Sequence, residues 1–104
     1  MKTLRFNHNW NKKLDCHCFT TLRLSSGYNF GETVQVLLGG VNWCLAKVTG
    51  KKQFNIEDIN AFIAGVDTGY SAEECKQLLR NMYKNKNIDW SKQPVYLYLL
   101  QKVG

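Results

Sequence analysis

Apolar positions that alternate with polar ones, or that run continuously, predict five β-strands along the chain. The five segments are rich in β-branched and aromatic residues and cover residues 3–6, 19–24, 33–38, 41–49 and 95–103. Gly39 and Gly40 separate the third strand from the fourth and supply the positive φ angles of a tight hairpin. The last strand is apolar on both faces through Leu100, which is typical of a strand inside a sheet. Residues 7–14 predict a short helical turn.

Apolar residues at helical spacing predict two helices between the fourth and fifth strands. The first is expected to begin after the N-cap Asn55 and to end at Gly65. Its predicted buried stripe is Ile56, Ile59, Phe62 and Ile63. The second begins at Ser71, because Glu74 three residues later completes a capping box. Its predicted buried stripe is Cys75, Leu78, Leu79 and Met82. Residues 66–70 are too polar to be helical and predict a loop.

This order of elements predicts an α+β fold in which mostly consecutive strands form a small barrel or a strongly curved sheet. The 104 residues, 44% hydrophobic and 21% charged, fit a single domain over 1–104 and exclude a disordered chain. No apolar stretch approaches the ~18 residues of a membrane span, so no membrane partner is expected. Residues 1–13 lack the apolar segment of a secretion signal, which predicts a cytoplasmic location.

The net charge is the first indication of a partner. Fourteen Lys and Arg against eight Asp and Glu give a formal charge of +6. Such a balance favours polyanions, nucleic acid above all. A protein whose lysines serve only solubility, or an interaction module for another protein, would carry the same balance. Charge therefore narrows the partner class without deciding it.

The four cysteines predict neither a metal site nor a disulfide. Cys16, His17 and Cys18 form one cluster of potential zinc ligands, but no second close pair follows, as a structural zinc site requires. Cys44 and Cys75 stand alone in apolar surroundings, which is typical of buried thiols. We therefore expect four reduced thiols, no metal and no cofactor.

The second strand carries the candidate binding residues. Strand alternation puts Phe19, Thr21 and Arg23 on one face, while Leu22 and Leu24 point to the core on the other. An arginine on a strand face can bind a phosphate or a base edge with two hydrogen bonds, and a threonine hydroxyl adds one more. The face of Thr21 and Arg23 is therefore the predicted ligand surface.

The motif Thr21-Leu22-Arg23 resembles the signature of the ASCH domain family, which belongs to the PUA-like superfamily of small β-barrels. Residues 67–74 are similar to the loop and helix start that many members carry before their last strand, and Tyr83 at the helix end also fits. The resemblance covers essentially the whole chain. It implies a small PUA-like mixed β-barrel with a two-helix insert before the last strand. It also implies a cleft between the signature strand and that insert.

The same resemblance implies an RNA- or nucleotide-binding module whose basic cleft surrounds Thr21 and Arg23. Lysines just before the signature strand can neutralise phosphates, and aromatic residues in polar segments can stack on bases. The residues expected in these two roles are Lys12, Lys13, Tyr70 and Trp90. The pattern does not specify the oligomeric state or which nucleotide binds.

Some small family members resemble amidohydrolases that remove an acyl group from N4-acylated cytidine. In those, a signature lysine, the signature threonine and a glutamate from the helical region serve the chemistry. Alignment on Thr21 puts Cys18 where the lysine would stand. Asp67 is the nearest acid in the loop, and Glu74 is predicted as a helix cap. The sequence favours binding and leaves catalysis open, with these four residues as the candidates.

Overall fold

Five strands form one mixed sheet in the computed structural model, which describes residues 1–103. They are β1 (Thr3–Phe6), β2 (Cys18–Arg23), β3 (Thr33–Leu38), β4 (Val41–Phe54) and β5 (Val95–Val103). The order across the sheet is β1-β3-β4-β5-β2, with β1 parallel to β3 and the other neighbours antiparallel. The sheet curls into a half-barrel. Its edge strands meet at a seam, where the Arg23 guanidinium of β2 donates to the Arg5 carbonyl of β1 over 2.7 Å.

The hairpin between β3 and β4 is confirmed, and β4 is longer than predicted. Gly39 and Gly40 have φ angles of 59° and 81°, as the tight turn requires. The sequence predicts β4 only as far as residue 49. A shift in register between Val48 and Gly50 bends the strand and lets it continue along β5 to residue 54. At Gly50 a Cβ would lie 3.2 Å from the Leu99 side chain, so the bend brings the two backbones close.

Two 3-10 helices and two α-helices complete the fold. The 3-10 helices are Trp10–Asp15, which is kinked at the left-handed residues Asn11 and Lys12, and Ile56–Asp58. The α-helices are α1 (Ala61–Asp67) and α2 (Ala72–Met82). Both α-helices lie between β4 and β5, as predicted, and α2 begins at its predicted N-cap, Ser71. Among the described helices, none is long and apolar enough to cross a membrane.

The first predicted helix is wrong in its bounds. The backbone is extended at Ile59, so the turn that follows Asn55 ends there. α1 begins instead after Asn60, whose side chain accepts the N–H of Ile63 over 2.9 Å. With the start moved by five residues, Phe62 is 78% exposed rather than buried. α1 also continues into the segment that was predicted as a loop, and its last residue is Asp67.

Two apolar cores lie on opposite faces of the sheet. The first fills the half-barrel with Leu4, Leu14, Phe19, Val34, Val36, Val48, Tyr98 and Leu100, among others. The second lies between the sheet and the helices and contains Leu22, Ile56, Ile59, Cys75, Leu79 and Val95. The predicted alternation of β2 is confirmed, because Phe19 belongs to the first core and Leu22 to the second. In α2, Met82 is exposed instead of buried, because it stands on the last turn of the helix.

Candidate ligand-binding site at the sheet seam

A cavity of about 390 Å³ opens where β1 and β2 approach each other. We call it the seam cavity. β1, β2, the first 3-10 helix and both α-helices all contribute to its wall. Its charged lining residues are Arg5, Lys13, Arg23 and Asp67, and its aromatic lining residues are Phe6, Trp10 and Tyr83. Mostly apolar walls with a few convergent polar groups are typical of small-ligand sites.

A buried ion pair forms one side of the seam cavity. The Lys13 ammonium lies 2.9 Å from Asp67 Oδ1, and each side chain is only 6% exposed. The Thr20 hydroxyl donates to the same carboxylate oxygen over 2.9 Å. The Lys13 ammonium also lies 5.3 Å from the centre of the Phe6 ring, within the range of a cation–π contact. Two donors and an aromatic face therefore compensate the cost of burying these two charges.

An unusual backbone turn carries Lys13 into the cavity wall. The two residues before it, Asn11 and Lys12, both have left-handed φ angles, 55° and 53°. The Asn11 amide donates to the carbonyl of Gly65 in α1 over 3.3 Å, which ties the turn to the helix. The residue after it, Leu14, is completely buried. Lys13 is therefore fixed between a constrained turn and a buried anchor.

The packing of α1 determines the position of Asp67. Ala64 and Asp67 are three residues apart, so they lie on the same face of the helix. That face is buried, with Ala64 0% and Asp67 4% exposed. Thr68 caps the helix end by donating its hydroxyl to the Ala64 carbonyl over 2.9 Å. The carboxylate therefore points inward because the helix face that carries it is the packed one.

Arg23 is held without a carboxylate partner. Its Nε donates to the Thr21 hydroxyl over 3.0 Å, and Nη2 donates to the Arg5 carbonyl over 2.7 Å. The guanidinium carbon lies 4.7 Å from the centre of the Phe6 ring. Within residues 1–103 no acidic side chain forms an ion pair with Arg23. Two of its five N–H groups are used in these bonds, which leaves three for a ligand.

Burial shifts the pKa of three groups at this site. Desolvation lowers the pKa of the Lys13 ammonium, although the nearby Asp67 acts in the opposite direction. Desolvation likewise lowers the pKa of Arg23. The pKa of the Cys75 thiol is raised, first by burial and then by the negative charge of Asp67. Cys75 is therefore an inert thiol at neutral pH, although it lines the cavity.

The structure brings only part of the expected site together. Thr21, Arg23, Lys13 and Asp67 all line the seam cavity. Lys13 was expected to neutralise a ligand phosphate, but its side chain is buried and pairs with Asp67. Lys12, next to it, is exposed and does not line the cavity.

Two of the catalytic candidates lie away from the cavity. Cys18 is exposed at the opposite end of β2 from Arg23. Glu74 accepts a hydrogen bond from the Ser71 hydroxyl over 2.9 Å and donates its own N–H back over 3.2 Å. Glu74 therefore acts as the predicted cap. Lys13 is the lysine that pairs with Asp67, the candidate carboxylate, whereas the resemblance would put the signature lysine at position 18.

Tyr70 and Trp90, the two residues expected to stack on bases, pack instead against aromatic residues that line the cavity. Tyr70 packs edge-on against Trp10, with ring centres 5.8 Å apart. Trp90 packs in the same way against Tyr83, at 6.5 Å, and belongs to the rim of the second core. Neither lines the seam cavity, whereas Trp10 and Tyr83 do. These rings can therefore affect a ligand only through the aromatic residues in front of them.

Sequence reasoning missed several residues that line the seam cavity. Arg5 and Phe6 were placed in a strand without a role, yet both contact Arg23. The one sequence signal available was that β1 ends in a basic and an aromatic residue side by side.

In the described part of the chain, no three His, Cys, Asp or Glu side chains lie together as metal ligands. Cys16 and Cys18 are both exposed free thiols.

Fold and site together define a class: an α+β half-barrel protein with a basic, aromatic-lined cavity at the seam of its sheet. Comparison with family models, curated proteins and solved structures found no match for the chain.

Proposed function

We propose that the protein binds RNA or a nucleotide-type ligand, with one nucleobase in the seam cavity and a phosphate or base edge on Arg23. The observation that carries the proposal is the state of Arg23. It is a half-buried cation whose partners among the described residues are a hydroxyl, a carbonyl and an aromatic ring. Its remaining N–H groups can donate to an anionic ligand group, which would supply the counter-ion that the described residues do not.

The other walls suit a flat heterocycle. Phe6, Trp10 and Tyr83 offer aromatic surface, and stacking of a base on such a ring contributes about 1–3 kcal/mol. The cavity carries three basic side chains and one carboxylate, so its charge favours an anion. The proposed ligand class is the one that the ASCH resemblance implies. We propose in addition that the fold is a PUA-like barrel whose cleft is the seam cavity.

Titration calorimetry with the four ribonucleoside monophosphates tests the proposal directly. We expect at least one of them to bind, with an affinity that falls as the salt concentration rises. Arg23→Gln should weaken binding about 10-fold or more, because a hydrogen bond to a charged group contributes about 1.5–3 kcal/mol. Arg80→Gln is the matched control, because Arg80 pairs with Glu57 on the surface of α2 and lines no part of the cavity. Equal loss in both variants, or no binding to the unmodified protein, contradicts the proposal.

A second candidate function is hydrolysis of an N4-acylated cytidine. The observation that favours it is the buried lysine–aspartate pair beside the cavity-lining hydroxyl of Thr21. A buried lysine with a lowered pKa can serve as a proton acceptor, and Asp67 would orient it. In this scheme Lys13 takes the role of the family's signature lysine, although the aligned position is occupied by Cys18. Unprotonated Lys13 would take a proton from water as the water oxygen adds to the acyl carbon, and would pass it to N4 as the amide C–N bond breaks, giving a carboxylic acid and cytidine.

Release of cytidine from N4-acetylcytidine, followed by chromatography, tests this second function. We expect Lys13→Met and Thr21→Val each to reduce the rate about 10²-fold or more, the usual effect of losing a proton-transfer group. Thr49→Val is the matched control, because that hydroxyl only bonds the Leu99 carbonyl on the sheet. No cytidine from the unmodified protein, or equal rates in Thr21→Val and Thr49→Val, contradicts hydrolysis and leaves the binding proposal standing.

A further inference from the structure

A second concave surface adjoins the seam cavity. It is an open groove of about 860 Å³, which we call the loop groove. Its walls are the start of β1, the loop of residues 24–28 and the segment that follows α2. Arg23 and Tyr83 line both the loop groove and the seam cavity. A ligand bound at Arg23 can therefore extend from one into the other.

Every charged side chain that lines the loop groove is basic. These side chains are Lys2, Arg23 and Lys86. Lys2 lies 3.0 Å from Glu32 and donates to the Gly27 carbonyl, so its ammonium is held at the groove wall. The Lys86 ammonium lies 5.8 Å from the centre of the Tyr83 ring, beside the residue shared with the seam cavity. Arg23 and Lys86 therefore bring positive charge to the groove without a carboxylate partner among residues 1–103, whereas Lys2 shares its charge with Glu32.

The loop groove has space for more than one phosphate group. Its volume, about 860 Å³, is more than twice the 390 Å³ of the seam cavity. If the seam cavity holds one nucleoside, a single terminal phosphate leaves most of the groove empty. Further nucleotides of the same strand would fill it and bring successive phosphates to spaced lysines.

We propose that the ligand is a single-stranded nucleic acid, with one unstacked base in the seam cavity, its phosphate at Arg23 and the adjoining nucleotides in the loop groove. This inference rests on the proposed binding function and specifies the ligand as a strand. The lysines contact phosphates without reading sequence, while the base in the seam cavity provides the selectivity. The groove contacts require only the backbone phosphates, which RNA and DNA share.

The test compares a ribonucleoside monophosphate with a tetraribonucleotide and a tetradeoxyribonucleotide, by calorimetry over a range of salt concentrations. We expect the tetranucleotides to bind about 10-fold or more tightly than the monophosphate. Binding of the ribonucleotide alone identifies RNA as the source of the strand. The variant with Lys2→Gln and Lys86→Gln should bind tetranucleotide about 10-fold more weakly, with monophosphate affinity changed less than about twofold. Its salt slope should fall by about 1.4, since each phosphate contact on a single strand contributes about 0.7.

Lys52→Gln is the matched control, because Lys52 is exposed on β4 and lines neither concave surface. Circular dichroism checks that all variants fold. Equal affinities for monophosphate and tetranucleotide would overturn the strand inference and leave the seam-cavity function intact. Tetranucleotide binding that depends on the two groove lysines but not on Arg23 would overturn the seam-cavity function and retain the groove. Absence of all binding overturns both.

Discussion

Replacement of Lys13 by methionine removes the cation of a buried ion pair and leaves the Asp67 carboxylate without a positively charged partner. Both side chains are 6% exposed and the two charged atoms are 2.9 Å apart, so solvent cannot replace the lost partner. Removing one member of such a pair typically costs about 3–5 kcal/mol. The Thr20 hydroxyl remains as a donor to the carboxylate, so we expect a loss of about 3 kcal/mol, the lower end of that range. That is a large share of the ~5–15 kcal/mol that stabilises a domain.

Urea unfolding, followed by circular dichroism, measures the effect. A loss of about 3 kcal/mol shifts the midpoint by about 1–3 M for a typical denaturant slope of ~1–3 kcal/mol per M. Asp67→Asn should also destabilise, and the double variant should lose about 1–3 kcal/mol less than the sum of the two, because it buries no uncompensated charge. Lys52→Met is the control, since Lys52 is exposed on β4 and forms no ion pair among residues 1–103. Its effect should stay within about 0.5 kcal/mol.

The same pair has a pH signature. Burial lowers the pKa of Lys13 below its ordinary value of 10.5, so between the two values the unfolded chain binds more protons than the folded one. Stability therefore rises with pH in that alkaline window, relative to a variant without this lysine. The gap in unfolding free energy between the unmodified protein and Lys13→Met should widen as pH approaches 10.5. Three outcomes would contradict a stabilising buried pair: a gap that narrows, additive losses in the double variant, or a loss below about 1 kcal/mol in Lys13→Met.

Three further predictions use the same unfolding assay or a simple thiol assay. Lys12→Gly should stabilise the protein by about 0.5 kcal/mol. Relief of the left-handed φ of 53° gains about 1–2 kcal/mol, whereas the greater chain entropy of glycine costs about 0.5–1 kcal/mol. A loss of stability would contradict backbone strain at this position. Ser71→Ala should cost about 1 kcal/mol by removing the N-cap of α2, and an unchanged midpoint would show that the cap contributes nothing. With Ellman's reagent, the exposed Cys16 and Cys18 should react at once and Cys75 only on unfolding, and fast reaction of Cys75 would contradict its burial.

Much of the fold follows from local rules. The hairpin at residues 39–40 and the N-cap of α2 were predicted correctly, because each depends on a few neighbouring residues. The first helix was misplaced because two asparagines, Asn55 and Asn60, offer equivalent caps. Helix propensity could not choose between them, and packing of Ile56 and Ile59 into the second core did.

The candidate site was predictable only in part. Thr21 and Arg23 were correctly placed on one face of β2, since strand alternation requires it. Their surroundings were not predicted. The burial of Lys13 was not predicted, because nothing in residues 11–13 indicates two successive left-handed backbone conformations. Asp67 was placed in a loop, where its inward direction could not be foreseen.

The amino-acid sequence is sufficient to predict the α+β class, the strands along the chain, the basic charge and the Thr21–Arg23 face, because these depend on composition or on residues a few positions apart. The contacts that those residues make depend on the tertiary fold. The contact that closes the seam joins positions 18 apart, and the buried ion pair joins positions 54 apart. Such contacts arise when a curled sheet brings its two edges together and a helix packs across them. Local preferences act over too short a range to specify that geometry.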